Sequence, residues 1–260
     1  MSRDCAALDA RARGLSGHLC TRAELDRWAA LPDPAALGRL LQAGGRLADL
    51  VPLNAGAADI EQAARRSAAD HLRRLARWAG PAHPVVEAFD AEQDRRSLRA
   101  LLRGATEGAA PELRLAGLLP TARLPAGLLA ELAQARSPRE IALRLLVLGD
   151  PHAHTLLALT TPARVDLLEI ERALARVLAE RWRTAAARGD GALRACLRQR
   201  IDLVNAQAAL QLAGTRSDTA ADGAFVAGGG VLTRAAFVEA AQAPTRTGAA
   251  VRLARAAAGC

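Results

Sequence analysis

Two pairs of polar residues stand out for their spacing. Glu92 and Arg95 lie three apart, and so do Asp202 and Asn205. On a helix that spacing puts both members on one side, where they can bond to each other or to a common partner. Asn205 borders an apolar stripe, between Ile201 and Ala208, so its amide must find hydrogen bonds on burial. Two roles are open to such pairs: facing a cavity that takes a partner, or bridging one helical unit to its neighbour. The stripe position favours the bridge. Arg95, Arg99 and Arg103 form a ladder at steps of four, with Glu92 four before Arg96 in the favourable orientation for a helix ion pair. Arg103 falls in a last turn, where a cation suits the helix dipole. A solvated face is the expected role of that ladder, and a partner-binding stripe is the alternative.

Other candidate chemistry is weaker. Asp150-Pro151-His152-Ala153-His154 contains a His-x-His step that could chelate, but no third and fourth ligand have suitable spacing, and a solvent loop is expected there. His18, His71 and His83 are isolated. Gly228-Gly229-Gly230 lacks the G-K-[ST] ending of a phosphate loop, and the chain contains no Lys, so it reads as a flexible lead into a helix. No cysteine is accompanied by the His and Asp that would make it a nucleophile, and no paired carboxylates suggest acid–base work. No catalytic residue, metal or cofactor is therefore assigned.

The elements that position these residues are helical throughout. Leu167, Ile170, Leu174, Val177, Leu178 and Trp182 form one amphipathic face, and Leu193, Leu197, Ile201, Val204, Ala208 and Leu212 another. Arg188-Gly189-Asp190-Gly191 is the turn between them, and Gly214 stands where a left-handed cap ends the second helix. The same hairpin occurs 110 residues earlier, from about Ala57 to Trp78, through Gly80-Pro81-Ala82-His83-Pro84, then from about Val85 to Arg103 with a stop at Gly104. Ile60-Glu61 answers Ile170-Glu171, Glu92 answers Asp202, Arg95 answers Asn205, and Gly104 answers Gly214. A shorter two-helix head follows each hairpin, and a third opens the chain: Leu25 answers Leu129, which answers Phe237. Duplication on this scale fixes an all-α architecture of repeated units, approximately 1–56, 57–163 and 164–260, within one domain of 260 residues.

Composition narrows the partners. All 35 basic residues are Arg and the formal net charge is +8. The arginines are spread along nearly every helix among Asp and Glu, so solvated faces or a protein interface are expected rather than a nucleic-acid site. Three Trp, three Phe and no Tyr are too few for a base-stacking platform. Four scattered cysteines, Cys5, Cys20, Cys196 and Cys260, suit a reducing cytosol. The first residues lack the apolar core of a signal peptide, and no stretch approaches the uncharged apolar length of a membrane span.

The stretches EQDRRSLRALLRG, DLVNAQAALQLAG and GGGVLTRAAFVEAA, with the I-E opening of each hairpin, resemble the C (or d) subunit of V-type and A-type rotary ATPases. The resemblance covers nearly the whole chain in the family's order. It implies a funnel-shaped helical bundle of three similar units in a pseudo-threefold arrangement, with no catalysis, no small-molecule substrate and no cofactor. The funnel would be a socket, receiving the rotor stalk and sitting on the membrane ring, in the cytoplasm and peripheral to the membrane through protein contacts. Departures from the family are the lack of the tyrosines common in its motifs and a chain stop at Cys260, where the family continues with more helices. The closing edge between the C-terminal helix and the N-terminal head is therefore expected to be the weakest seam, with residues 228–260 opening before the hairpin at 164–213. An Arg-rich helical nucleic-acid-binding or scaffold protein is the alternative reading.

Overall fold

A computed structural model describes residues 3–17, 19–44, 51–52, 54–80, 82–162, 164–215, 221 and 223–258. His18, Pro81, Cys260, the Cys5 side chain and most of the polar loop after Gly214 lie outside the described residues. Among the described residues the fold is all-α, with no strand. The helices are α1 (Arg3–Ser16), α2 (Arg22–Ala29), α3 (Pro34–Ala43), α4 (Ala57–Ala79), α5 (Pro84–Thr106), α6 (Pro111–Leu115), α7 (Ala126–Ala133), α8 (Pro138–Val147), α9 (Ala153–Thr160), α10 (Leu167–Arg188), α11 (Gly191–Leu212), α12 (Arg234–Ala241) and α13 (Arg246–Ala258).

Local sequence sets these boundaries. Asp166 and Asp190 cap α10 and α11 through their carboxylates, with Asp190 accepting from Leu193 N at 2.8 Å. The second helix of each head is capped at a corresponding position. Asp33 accepts from Ala36 N at 2.6 Å, Ser137 from Glu140 N at 3.2 Å and Thr245 from Gly248 N at 3.1 Å. In two heads an arginine ties the second helix back to the first: Arg144 donates to the Glu131 carbonyl and Arg252 to the Glu239 carbonyl. The corresponding place in the first head is Leu40, which is exposed.

The axis of the molecule is α5 laid antiparallel along α10, the most extensive helix–helix contact. Ala88, Ala91, Leu98, Leu101 and Leu102 of α5 meet a face of α10 that buries Ile170, Leu174, Leu178 and Trp182. The Trp182 indole donates to the Ala88 carbonyl at 3.0 Å. Heads α7–α8 and α12–α13 pack on α5 and α11 respectively. α10 and α11 pair as the expected hairpin. α4 does not pair closely with α5: it leans more on α1 and α3 and buries only Ala63 and Ala69, because α10 already occupies the face of α5 that a partner would take. The first head is also thin, with no buried residue in α2 and only Gly38 and Leu41 in α3. The third head fully buries Phe237 and Ala249.

Two sequence expectations fail here for local reasons. The 150–154 stretch is not wholly a loop, since α9 begins at Ala153 and buries Ala153 and Leu156 in the core shared with α8. Gly104 does not end its helix. α5 runs on to Thr106, and the left-handed residue beyond it is Gly108 (φ +68°), whereas in the second copy Gly214 itself is left-handed (φ +84°). Gly104 is needed for a different reason: a Cβ there would meet Arg114 Cγ at 2.7 Å. Arg114 is buried over it and donates to the carbonyls of Ala109 at 2.7 Å, Ala133 at 3.1 Å and Ala135 at 2.5 Å. Its charge sits at the C-terminus of α7, where the helix dipole favours a cation. Ala243 corresponds to Ala135 in the second copy, and its carbonyl is bonded instead by Gly214 N at 2.9 Å.

Two glycine substitutions should therefore move stability in opposite directions. Gly104→Ala should destabilise by about 1–3 kcal/mol, because the methyl displaces a buried side chain. Gly127→Ala, in an exposed turn of α7 with nothing near its Cβ, should stabilise by up to about 1 kcal/mol. Urea denaturation midpoints of the two variants test the pair, and a shift of the same sign in both would contradict the packing described.

Candidate functional site

Asn205 is fully buried and clamps one residue of a distant segment. Its Nδ2 donates to the Val226 carbonyl and its Oδ1 accepts from Val226 N, both at 2.8 Å. One turn away, Asp202 Oδ2 accepts from Gly230 N and Val231 N, both at 2.9 Å, and Oδ1 from Leu232 N at 3.1 Å. Three successive amides thus ring one carboxylate, immediately before Thr233 caps α12. Gly228-Gly229-Gly230 is the collar that makes this possible. A Cβ on Gly229 would lie 1.9 Å from Asp202 Oδ1, and Gly228 has φ +112°. The triplet read as a flexible lead is a fitted strap, and the anion in its loop is the protein's own.

The aligned pair in the first copy does something else. Glu92 is bound on its own helix by Arg95 Nε and Nη2, both at 3.1 Å, and by Arg96 Nε at 2.8 Å. Burial pushes the Glu92 carboxyl up, but the bonds and charges of Arg95 and then Arg96 outweigh it, so its pKa lies below the ordinary value. Arg99 and Arg103 leave the helix. Arg99 Nε donates to Glu171 Oε1 at 2.9 Å, and Arg103 Nη2 approaches the same oxygen at 3.6 Å. The Arg ladder expected on a solvated face is thus half-exposed and joins α5 to the I-E opening of α10.

Residues not singled out in the sequence anchor the first copy's strap. Asp94 is buried, accepts from Thr121 Oγ1 at 2.5 Å and pairs with Arg181 Nη1 at 2.7 Å. Thr121 Oγ1 in turn accepts from Leu124 N at 2.9 Å. The signal was available: Asp94 lies three after Ala91 and four before Leu98, on the apolar stripe itself. Half-buried Asp90 is held above the ordinary aspartate value, first by burial and then by the Asp94 charge. Asp150 and His152 are also buried, contrary to the solvent-loop reading. His152 Nδ1 lies 2.7 Å from Asp150 Oδ1, and Arg123 Nε donates to Asp150 Oδ2 at 2.9 Å. Burial raises the Asp150 pKa, but His152 and then Arg123 bring it below the usual value. His154 is exposed, so the two histidines do not share an environment.

α5, α10 and α11 also enclose an open groove of ≈ 690 Å³, lined by Arg95 and Arg99, by Glu171, Arg172 and Arg176, and by Gln207 and Gln211. No group of three or more metal-ligating side chains stands together among the described residues.

The pieces of sequence that resembled a family meet in space. Asp202, in DLVNAQAALQLAG, is the residue ringed by amides of GGGVLTRAAFVEAA. Over residues 8–258 the sequence matches the ATP synthase (C/AC39) subunit family. The chain belongs to that family. No curated protein matches it significantly in sequence. C/AC39 proteins are non-catalytic subunits of V/A-type ATPases, so the resemblance read from the motifs names the right family. None of the described helices in this C/AC39 chain is long and apolar enough to cross a membrane.

Two outcomes follow from the polar geometry. Asn205→Ala strands both polar groups of buried Val226 and should cost at least about 2 kcal/mol in chemical denaturation, with Asp202→Ala costing less because Gly230 and Val231 are more exposed. A neutral Asn205→Ala would contradict the clamp. Asp90 has a folded pKa above its unfolded one, so the folded state binds the proton more tightly. Its ionisation opposes folding at neutral pH, and that penalty disappears as pH falls below the unfolded value. Asp90→Asn should raise the denaturation midpoint at pH 7 and leave it unchanged near pH 3. A loss of stability at pH 7 would refute this.

Proposed function

We propose that this chain is the socket of a rotary V/A-type ATPase. It couples the central rotor stalk to the membrane ring, without catalysis, from the cytoplasmic side and through protein contacts alone. Units over about 1–56, 57–163 and 164–260, the first and third incomplete, would stand about a pseudo-threefold axis to make a funnel. The observation that carries the reading, beyond family membership, is how the polar pairs are used. Asp202, Asn205 and Asp94 bind straps that lead into heads, and Arg99, Arg103 and Arg181 cross the α5–α10 seam. Such side chains stiffen a body and fix heads to long helices, as a part that passes torque requires.

Reconstitution tests this. Adding the chain to a subunit-depleted rotary ATPase should restore ATP-driven ion pumping, while ATP hydrolysis by the catalytic head proceeds with or without it. Binding to stalk and ring should persist at physiological salt. Failure to bind either, together with nucleic-acid binding that collapses steeply as salt rises, would favour the Arg-rich nucleic-acid reading instead.

A further inference from the structure

The groove between α5, α10 and α11 has an imbalance of hydrogen-bonding groups. Its three carboxylates are all engaged. Asp166 caps α10, Glu169 pairs with Arg172, and Glu171 takes Arg99 and Arg103. Several of its donors are not. Arg172 Nη2 is shielded from solvent with no hydrogen-bond partner, the only such side-chain atom among the described residues. Arg176, exposed and one turn further along α10, has no ion pair among the described residues, and neither Gln207 nor Gln211 on the facing α11 has a protein partner there. The nearest carboxylate beyond Arg176 on its helix, Glu180, is held by Arg183. Arg172 and Arg176 are four apart and share one helix face. Arg95, Arg99 and Arg172 pair with Glu92, Glu171 and Glu169, which leaves Arg176 as the groove arginine without an ion pair among the described residues.

A shielded guanidinium donor without a partner costs stability, and one turn away Arg176 adds a positive charge that no carboxylate among the described residues neutralises. Both are relieved by one species: an anion with several acceptor oxygens. Guanidinium forks match phosphate oxygens two at a time, and the groove volume falls within the range of small-molecule sites.

We propose that this groove is a binding site for a phosphate-bearing anion, held by Arg172 and Arg176 from α10, with Arg95 and Arg99 behind it and the amides of Gln207 and Gln211 opposite. Bound there, the anion joins α5, α10 and α11 across the open side of the groove. The site is independent of the coupling role and stands or falls without it.

The test uses the purified full chain at fixed ionic strength. Inorganic phosphate, pyrophosphate and ADP are titrated separately by calorimetry, with chloride as the control anion. Saturable binding of at least one phosphate species is expected, with a matching rise in Tm. Equal affinity for pyrophosphate and ADP would identify the phosphates alone as the ligand, and tighter ADP binding would identify a nucleotide. Arg176→Ala removes an exposed side chain with no ion pair among the described residues, so it should fold normally and weaken binding at least about tenfold. Arg172→Gln should weaken it as much, and Arg255→Ala, exposed on α13, should leave it unchanged. The proposal is overturned if no phosphate species binds saturably, if chloride competes equally, or if Arg176→Ala binds like the parent chain.

Discussion

Everything at the C-terminal end of this fold depends on side chains that bind backbone. Asp202 and Asn205 together occupy five main-chain groups of a segment with no secondary structure of its own. A strap of that kind cannot satisfy its amides internally, and buried amides must be satisfied. Placing an amide and a carboxylate one turn apart on α11 answers that need and sets where α12 begins. The core around Phe237 then packs against the end of α11, because the strap delivers it there.

The first copy meets the same requirement with other chemistry. Its strap is held through Thr121 by Asp94, which also takes Arg181 from α10. The carboxylate has moved two positions along the helix from the aligned Glu92. What is shared between the copies is the need to hold a strap against a long helix. The residue that holds it is not shared.

This explains what could be read from the sequence. Helix extents, the head pairs, the α10–α11 hairpin and the family were legible because each depends on periodicity or on spacing within one segment. Gly189 and Asp190 marked a turn and a cap that the fold uses. Gly104 was misread because its constraint comes from Arg114, ten residues away, which no helix-capping rule encodes. The weak pairing of α4 with α5 was invisible for a similar reason, since α10 competes for the same face. Within the candidate site, alignment of the copies drew attention to Glu92, although Asp94 on the apolar stripe carried the stronger physical signal. A charge among core positions must have a partner, and that rule needs no second copy.

Gly104 and Arg114 also constrain each other's history. A Cβ at 104 presses on the Arg114 stem and displaces it, which pulls the guanidinium from the Ala133 and Ala135 carbonyls. Neither residue can change alone without loss, so the two are coupled in a way that the corresponding site, with Gly214 donating its own amide, is not. In each case donor and acceptor lie within one stretch, Arg114 with Ala135 and Gly214 with Ala243, so each head carries its own means of satisfying that carbonyl. A constraint met by a side chain in one head is met by main chain in the other, so the same substitution at the two aligned glycines would have unlike consequences.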